Sequence, residues 1–205
     1  IKKTMSEYNK KLRSFHKIPF SQFIFAMDCP RKYIWRQDFF NKYKANRDEV
    51  YKKSKWKGGG IFRHTIRELL PQLVKEYNMT MLGEDRLESD DVIATLVKQR
   101  TEEKYLIISG DKDFVQLQHY GDVYQWSPLL KGFIGEQEDP KQFLREQVIK
   151  GDRSDGVPNI LSDDDIFVRG ERQRPINSKR LEEWKNIENI PLGSETKKYY
   201  ERNKK

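Results

Sequence analysis

Apolar residues change their spacing along the chain. Ile1, Met5, Tyr8, Leu12 and Phe15 recur at helical intervals, which predicts an amphipathic helix over residues 1–15, closed by Pro19. FSQFIFAMD, residues 20–28, reads as a strand ending on Asp28. Aromatic and basic residues then alternate from Arg31 to Lys44. YKKSKWKGGG, residues 51–60, has no apolar period and predicts a mobile basic loop ending in three glycines. A second helical stripe follows in Ile61, Phe62, Ile66, Leu69, Leu70, Leu73 and Tyr77, with Pro71 inside it as a possible kink.

Strands are expected at 79–82, 104–109 and 122–126, and helices after Ser89 or Asp90, after Asp113 and from Pro140 to Lys150. This alternation implies an α/β fold built on a parallel sheet with right-handed crossovers. Beyond Gly151 the pattern turns to short helical pieces and polar loops, so a boundary is placed there, dividing 1–150 from 151–205.

Charge alters this picture. The net charge is +8, but residues 1–67 hold 18 Lys and Arg against 5 Asp and Glu, and the remainder holds 22 against 27. A basic front attracts phosphate polymers, and clustered carboxylates behind it attract hard cations. No apolar run reaches the ~20 residues that span a membrane, so a soluble protein is expected. Cys29 is the only cysteine, which excludes an internal disulfide or a cysteine-based zinc site and suits a reducing compartment. His16, His64 and His119 have no zinc-like spacing.

The carboxylates fall where strands end. Asp28 closes one strand, Asp111 and Asp113 follow another, and Glu88, Asp90 and Asp91 stand at the helix start after a third. Asp152 and Asp155 lie in the KGDRSDG turn. In open parallel sheets the carboxyl ends of strands form sites. Each group has a plainer role alone: Asp90 at a helix dipole, Asp152 and Asp155 as turn residues. As a cluster they repel by roughly 4 kcal/mol per close pair, which calls for cations, and oxygen-only ligands indicate Mg²⁺ or Mn²⁺. DKDFV also fits an aspartyl-phosphate phosphatase or a sugar-nucleotide transferase, but the former carries its motif on the first strand and the latter needs no basic arm. Neither an EF-hand loop nor a P-loop nor G-x-S-x-G is present.

The runs FIFAMD, KYKANRDEVY, LESDDVIATLV, IISGDKDF and KGDRSDGV follow one another as in the 5′-nuclease family, which includes flap endonucleases and the 5′-nuclease domains of bacterial DNA polymerases. YIWRQDFFNKYKANR and DVYQWSPLLK resemble the RNase H branch of T-even bacteriophages most. The resemblance implies a PIN-like α/β nuclease at 1–150 with a small helical DNA-binding appendage at 151–205, holding two Mg²⁺ ions that Mn²⁺ can replace. By motif it assigns Asp28, Glu88, Asp111, Asp113, Asp152 and Asp155 to the metals, with Asp90 and Asp91 both in the matching E-x-D-D run. It assigns Lys44 and Arg47 to the scissile phosphate and Tyr43 to stacking on a base. Lys52, Lys53, Lys55 and Lys57 of the basic stretch are expected to bind the nucleic-acid backbone.

The implied activity is a 5′→3′ exonuclease and flap endonuclease removing RNA primers in phage replication. Its substrates would be branched or flapped DNA and RNA–DNA duplex. A monomer in the host cytoplasm is expected, with a single-strand-binding protein or sliding clamp as candidate partners. Family members begin with a strand carrying one more metal-ligand aspartate, which nothing before Asp28 supplies, and continue into helices beyond ERNKK. The first strand and the last helices are thus expected to be missing. GVPNILSDDDIFVRGER lacks the two-glycine hairpin of cellular relatives, and Asp163, Asp164 and Asp165 read as a solvated turn. Two alternatives stay open: a catalytically inactive, structure-specific DNA-binding module, and a PIN-type endoribonuclease.

Overall fold

The computed structural model describes Phe20 and residues 22–53, 59–135 and 139–185. The helix expected over 1–15 and the lysines Lys55 and Lys57 lie outside these residues.

Among the described residues five short strands carry the fold: β1 (Ile24–Ala26), β2 (Thr80–Leu82), β3 (Tyr105–Ile108), β4 (Val123–Ser127) and β5 (Gly132–Ile134). β1 pairs with β2 in parallel, Phe25 opposite Met81. β3 pairs with β4 in parallel, Leu106 opposite Tyr124. β5 returns antiparallel to β4, with Trp126 opposite Phe133 and their rings edge to face at 5.0 Å. The fold is α/β with parallel strands, as the alternation implies, but the hydrogen bonding divides into a β1–β2 ladder and a β3–β4–β5 ladder. The β4–β5 hairpin has no counterpart in the sequence reading, because GFI is too short to establish a period of two.

Seven α-helical segments among the described residues surround the strands: α1 (Arg36–Phe39), α2 (Asn46–Lys53), α3 (Gly59–His64), α4 (Leu70–Glu76), α5 (Ser89–Gln99), α6 (Pro140–Lys150) and α7 (Ser178–Lys185). The mobile loop expected over 51–60 is corrected at both ends. Tyr51, Lys52 and Lys53 complete α2, and Gly59 and Gly60 open α3. Long-chain lysines lose little rotamer freedom in a helix, so a missing apolar period does not forbid one. Between α3 and α4 the helix widens to a π-type turn over Thr65–Leu69, immediately before Pro71. Proline lacks an N–H and crowds the preceding turn, and widening accommodates both. Along this second stripe Leu70 is buried, Ile66, Leu73 and Tyr77 are half-buried, and Ile61, Phe62 and Leu69 are exposed.

The main core lies between α5 and the β3–β4 pair. Val97, Ile107, Phe114, Leu117 and Val123 form one buried cluster, with Ile93, Ala94, Tyr105 and Tyr120 against it. A second cluster joins Ile149 of α6 to Leu161 and to Trp184 of α7. This packing runs across Gly151. That glycine takes φ +67°, and a Cβ there would come within 2.4 Å of the Val157 carbonyl oxygen. Only glycine lets α6 end and turn back so tightly.

Candidate active site

Each expected carboxylate is set by a local structural reason. Met27 donates its N–H to the Leu82 carbonyl (2.7 Å) and Cys29 to that of Leu87 (2.9 Å), which lays the chain after β1 along the segment leading to α5. Asp28 Oδ1 accepts the Ser89 N–H at 2.7 Å, occupying one of the free donors at the start of α5. Glu88 is the N-cap of that helix. Its side chain takes the N–H three residues on, and Asp91 Oδ2 accepts the Glu88 N–H at 3.0 Å, a reciprocal capping box.

After β3 the chain enters a 3₁₀ turn, Lys112–Leu117, whose Phe114, Val115 and Leu117 are buried. Those three anchors hold Asp111 and Asp113 at the rim of the core. Asp111 Oδ1 accepts the Asp113 N–H at 3.0 Å. Gln125 of β4, with no exposed surface, donates Nε2 to the carbonyls of Ser109 (3.0 Å) and Asp111 (2.5 Å) and so fixes the loop from below.

The 152–156 turn is held by the K-A-N-R segment. Lys44 donates its N–H to the Asp155 carbonyl (2.7 Å), Asn46 Nδ2 to that of Arg153 (2.8 Å), and Arg47 Nε to that of Ser154 (3.1 Å). A Cβ on Gly156 would lie 2.9 Å from Asn46 Oδ1, so this close approach needs glycine. Asp152 Oδ1 closes the turn by accepting the Ser154 N–H (2.6 Å) and hydroxyl (2.7 Å).

The side chains form a dense ionic network. Lys44 is buried, has φ +58°, and pairs with Glu88, with Asp155 Oδ1 at 3.7 Å. Arg47 Nη2 reaches Asp155 Oδ1 at 2.8 Å. Tyr43, 7% exposed, has its hydroxyl 2.7 Å from Glu88 Oε2 and 2.8 Å from Asp155 Oδ2. Burial and these two carboxylates raise its pKa, so the phenol stays protonated. In this structure Tyr43 is occupied within the ionic network. Its ring is covered, and its hydroxyl binds acids.

Arg36 escaped the sequence reading as a site residue, although it lies in the aromatic–basic run. Its Nη1 and Nη2 clasp Asp91 at 2.7 and 2.8 Å, and Nη1 reaches Glu88 Oε2 at 3.2 Å. Burial pushes the Asp91 carboxyl up, but Arg36, the Glu88 N–H and Trp35 outweigh it and leave the pKa lowered. Asp90 differs. Burial and then Asp111, Glu88 and Asp28 raise its pKa to about 6, with Lys44 a smaller opposing influence. Of the two neighbours, Asp90 faces the other acids and Asp91 is occupied by Arg36, the Trp35 indole and the helix start. Asp113 resembles Asp90, raised to about 6 by burial and by Asp111, Asp152 and Asp155.

Among the described residues no three acids or histidines lie close enough to hold a metal ion as placed. The donor set nevertheless fits a hard divalent cation. It is all oxygen, and Asp90 and Asp113 carry negative charge that their surroundings leave uncompensated. Asp163 and Asp165 pair with Arg169 on the surface, away from this set's contacts. The backbones of Lys52 and Lys53 lie in α2.

Residues 3–150 match the family model for the 5′-3′ exonuclease N-terminal resolvase-like domain. The chain belongs to this 5′–3′ exonuclease family. It is 32% identical over 159 residues to ribonuclease H of Enterobacteria phage T4, spanning 75% of this chain and 52% of that protein. It is 30% identical over 173 residues to a 5′-3′ exonuclease of Mycoplasmopsis pulmonis, spanning 80% of this chain and 54% of the relative. The chain thus spans about half the length of these two relatives. Its fold is similar to that of the bacteriophage T5 D15 flap endonuclease, solved as a pseudo-enzyme-product complex with DNA and metal ions. The TM-score is 0.60 at 16% identity, covering 88% of this chain and 74% of that one.

Proposed function

We propose that this protein is a Mg²⁺-dependent 5′→3′ exonuclease and flap endonuclease of the RNase H type, removing RNA primers and 5′ flaps in phage DNA replication. One observation supports the reading above the others: Lys44 and Arg47 pair with Glu88 and Asp155, so two cations suited to phosphate adjoin the candidate metal acids. The relatives named ribonuclease H and 5′-3′ exonuclease, and the flap endonuclease solved with DNA and metal ions, support it. Branched DNA and RNA–DNA duplex are the proposed substrates, met by the basic front of the chain. No helix among the described residues is long and apolar enough to cross a membrane, in keeping with work in the cytoplasm of an infected cell. A monomer, with a single-strand-binding protein or clamp as partner, completes the proposal, and residues 151–205 serve as its helical DNA-binding region.

Asp28, Glu88, Asp90 and Asp111 would hold one ion, and Asp111, Asp113, Asp152 and Asp155 the second, with Mn²⁺ able to substitute. When bound, such a pair supplies an activated water and offsets charge on the attacking and leaving oxygens. The chain's own residues orient the phosphate. Lys44 and Arg47 exchange carboxylate partners for phosphate oxygens and stabilise the charge that grows there. Arg36 and Tyr43 hold Glu88 in place while they do so. Arg47's planar fork suits two phosphate oxygens at once, and Lys44 acts as a point charge.

The deciding test is cleavage of an end-labelled 5′ flap in Mg²⁺ beside a binding titration in Ca²⁺. Asp111→Asn and Asp113→Asn should each abolish cleavage and leave affinity equal or tighter, since fewer negative charges face the phosphates. Cleavage near the parent rate in both sinks the assignment. A binding-only module is the second reading, favoured by the wide spacing of the acids as placed; it predicts flap binding with no cleavage in Mg²⁺ or Mn²⁺.

A further inference from the structure

Three successive carbonyls of the turn that bears Asp155 are held from the K-A-N-R segment. Arg153 accepts from Asn46 Nδ2 (2.8 Å), Ser154 from Arg47 Nε (3.1 Å) and Asp155 from the Lys44 N–H (2.7 Å). The three donors differ in their other duties. Lys44 gives a main-chain group. Arg47 gives the guanidinium whose Nη2 sits on Asp155 Oδ1, and binding a phosphate draws that guanidinium away. The Asn46 side chain is neutral and ends on the turn.

The turn is a tight hairpin whose two ends are unequally secured. At its base Asp152 and Val157 exchange N–H and carbonyl groups at 2.8 and 2.7 Å. At its tip the Gly156 N–H reaches the Arg153 carbonyl at 3.3 Å, and Asn46 supplies the shorter bond. Asn46 is the first residue of α2, so its amide stands on a helix. Its orientation is set from both sides. Nδ2 meets a carbonyl, which needs a donor, and Oδ1 is buried against Gly156, where a Cβ would come within 2.9 Å. The amide thus ties the hairpin tip, and with it Asp155, to the helix that carries Arg47.

We propose that Asn46 is a positioning residue for the second set of candidate metal acids: it keeps Asp155 in place when Arg47 leaves that carboxylate for a phosphate oxygen. The inference rests on the two-ion nuclease reading above and deepens it by naming what holds the second set. Without the amide the base of the hairpin stays closed and the Arg153 carbonyl keeps the Gly156 N–H, so the fold survives while Asp155 drifts. Removing a partner that orients a metal ligand through one further hydrogen bond typically costs about 10- to 100-fold in metal affinity or activity.

The test uses the full chain and Mn²⁺, whose free ion is counted by its paramagnetic resonance signal in the absence of DNA. Asn46→Leu keeps the bulk of the side chain without its amide, and Asn46→Ala removes both. In each, one of two bound Mn²⁺ ions should be held about tenfold more weakly and the other as in the parent. On a 5′ flap, kcat should fall about thirtyfold with KM unchanged, because no substrate contact is lost. Raised Mn²⁺ should restore much of that rate, since the ion can still be driven on. Parent-like Mn²⁺ binding in both variants, equal weakening of both ions, or a rate that excess Mn²⁺ does not restore overturns the role of Asn46. A parent that cuts the flap while both variants bind Mn²⁺ and cut normally refutes that role alone. A parent that binds two ions, of which the variants weaken one, but never cuts refutes the nuclease reading alone. A parent that binds a single ion refutes the second set and the role of Asn46 with it.

Discussion

The hydroxyl of Tyr43 lies 2.7 Å from Glu88 Oε2 and 2.8 Å from Asp155 Oδ2, joining the start of α5 to the turn after α6. A phenol has one proton, so it donates to one acid at a time, and Lys44, Arg36 and Arg47 offset the charge of the pair. Tyr43→Phe should therefore destabilise the chain by about 1–3 kcal/mol, the cost of leaving a buried acceptor short of a donor. It should also slow flap cleavage. A base-stacking tyrosine would tolerate Phe in both assays. Urea unfolding of the two proteins beside single-turnover cleavage separates the roles, and parent-like behaviour of Tyr43→Phe would favour the stacking role.

Asp90 and Asp91 should respond with opposite signs. Asp90→Asn removes a carboxylate that burial and neighbouring acids disfavour, so stability should rise and cleavage disappear. Asp91→Asn breaks the capping box and the Arg36 clasp, so stability should fall by about 1–2 kcal/mol while some cleavage survives. Thermal melts with cleavage assays on both variants decide it, and loss of stability in Asp90→Asn would contradict the assignment.

Lys44→Ala and Arg47→Ala should lower the single-turnover rate far more than affinity, since both act on the reacting phosphate. Replacing Lys52, Lys53, Lys55 and Lys57 together should instead weaken binding and flatten its salt dependence. Equal losses of affinity in the two sets, with rates unchanged, would refute this division.

Gln125 touches no substrate in this reading, yet its Nε2 holds the Ser109 and Asp111 carbonyls. Gln125→Leu should leave both without their buried donor, destabilise by about 1–3 kcal/mol, and lower kcat more than KM by loosening Asp111. Gln125→Glu should be worse, because oxygen then faces oxygen. Melting temperatures and steady-state cleavage measure this, and an unchanged kcat in a folded Gln125→Leu would show that Asp111 needs no such anchor.

The raised carboxyls of Asp90 and Asp113 give a pH signature. Both sit near 6 in the folded chain, above the ordinary aspartate value of about 4. Their contribution to stability is thus fully present below about pH 4 and is lost as pH rises through about 6. Asp91, held low, contributes oppositely, with stability present above its unfolded pKa and lost on acidification below it. A divalent cation should therefore raise the melting temperature clearly at about pH 7.5 and barely at about pH 5, where protons occupy the same carboxyls. Melts with Mg²⁺ and with EDTA at both values test this; an equal rise at both would place the cation elsewhere.

The strand–helix alternation, Asp28, Asp111 and Asp113 after strands, and Glu88 at a helix start were legible along the chain. Apolar periodicity and the chemistry of helix starts are local, so a short window of residues carries them. Proline at 140 and glycine at 151 likewise marked the limits of α6. Which of Asp90 and Asp91 faces the acids was not legible, because both precede the same apolar run. Only folding brings Arg36 and Trp35, more than fifty positions earlier, against Asp91. Tyr43 reads as an aromatic in a basic run and becomes a buried bridge because Asp155, 112 residues on, closes over it. Gln125 carries no motif at all, and its role comes from the pairing that sets β4 beside β3. Local spacing decides which elements form and which ends carry charge. The partner each charge meets depends on long-range packing, where the unfavourable energy of an unpaired buried group selects among arrangements that a sequence window cannot tell apart.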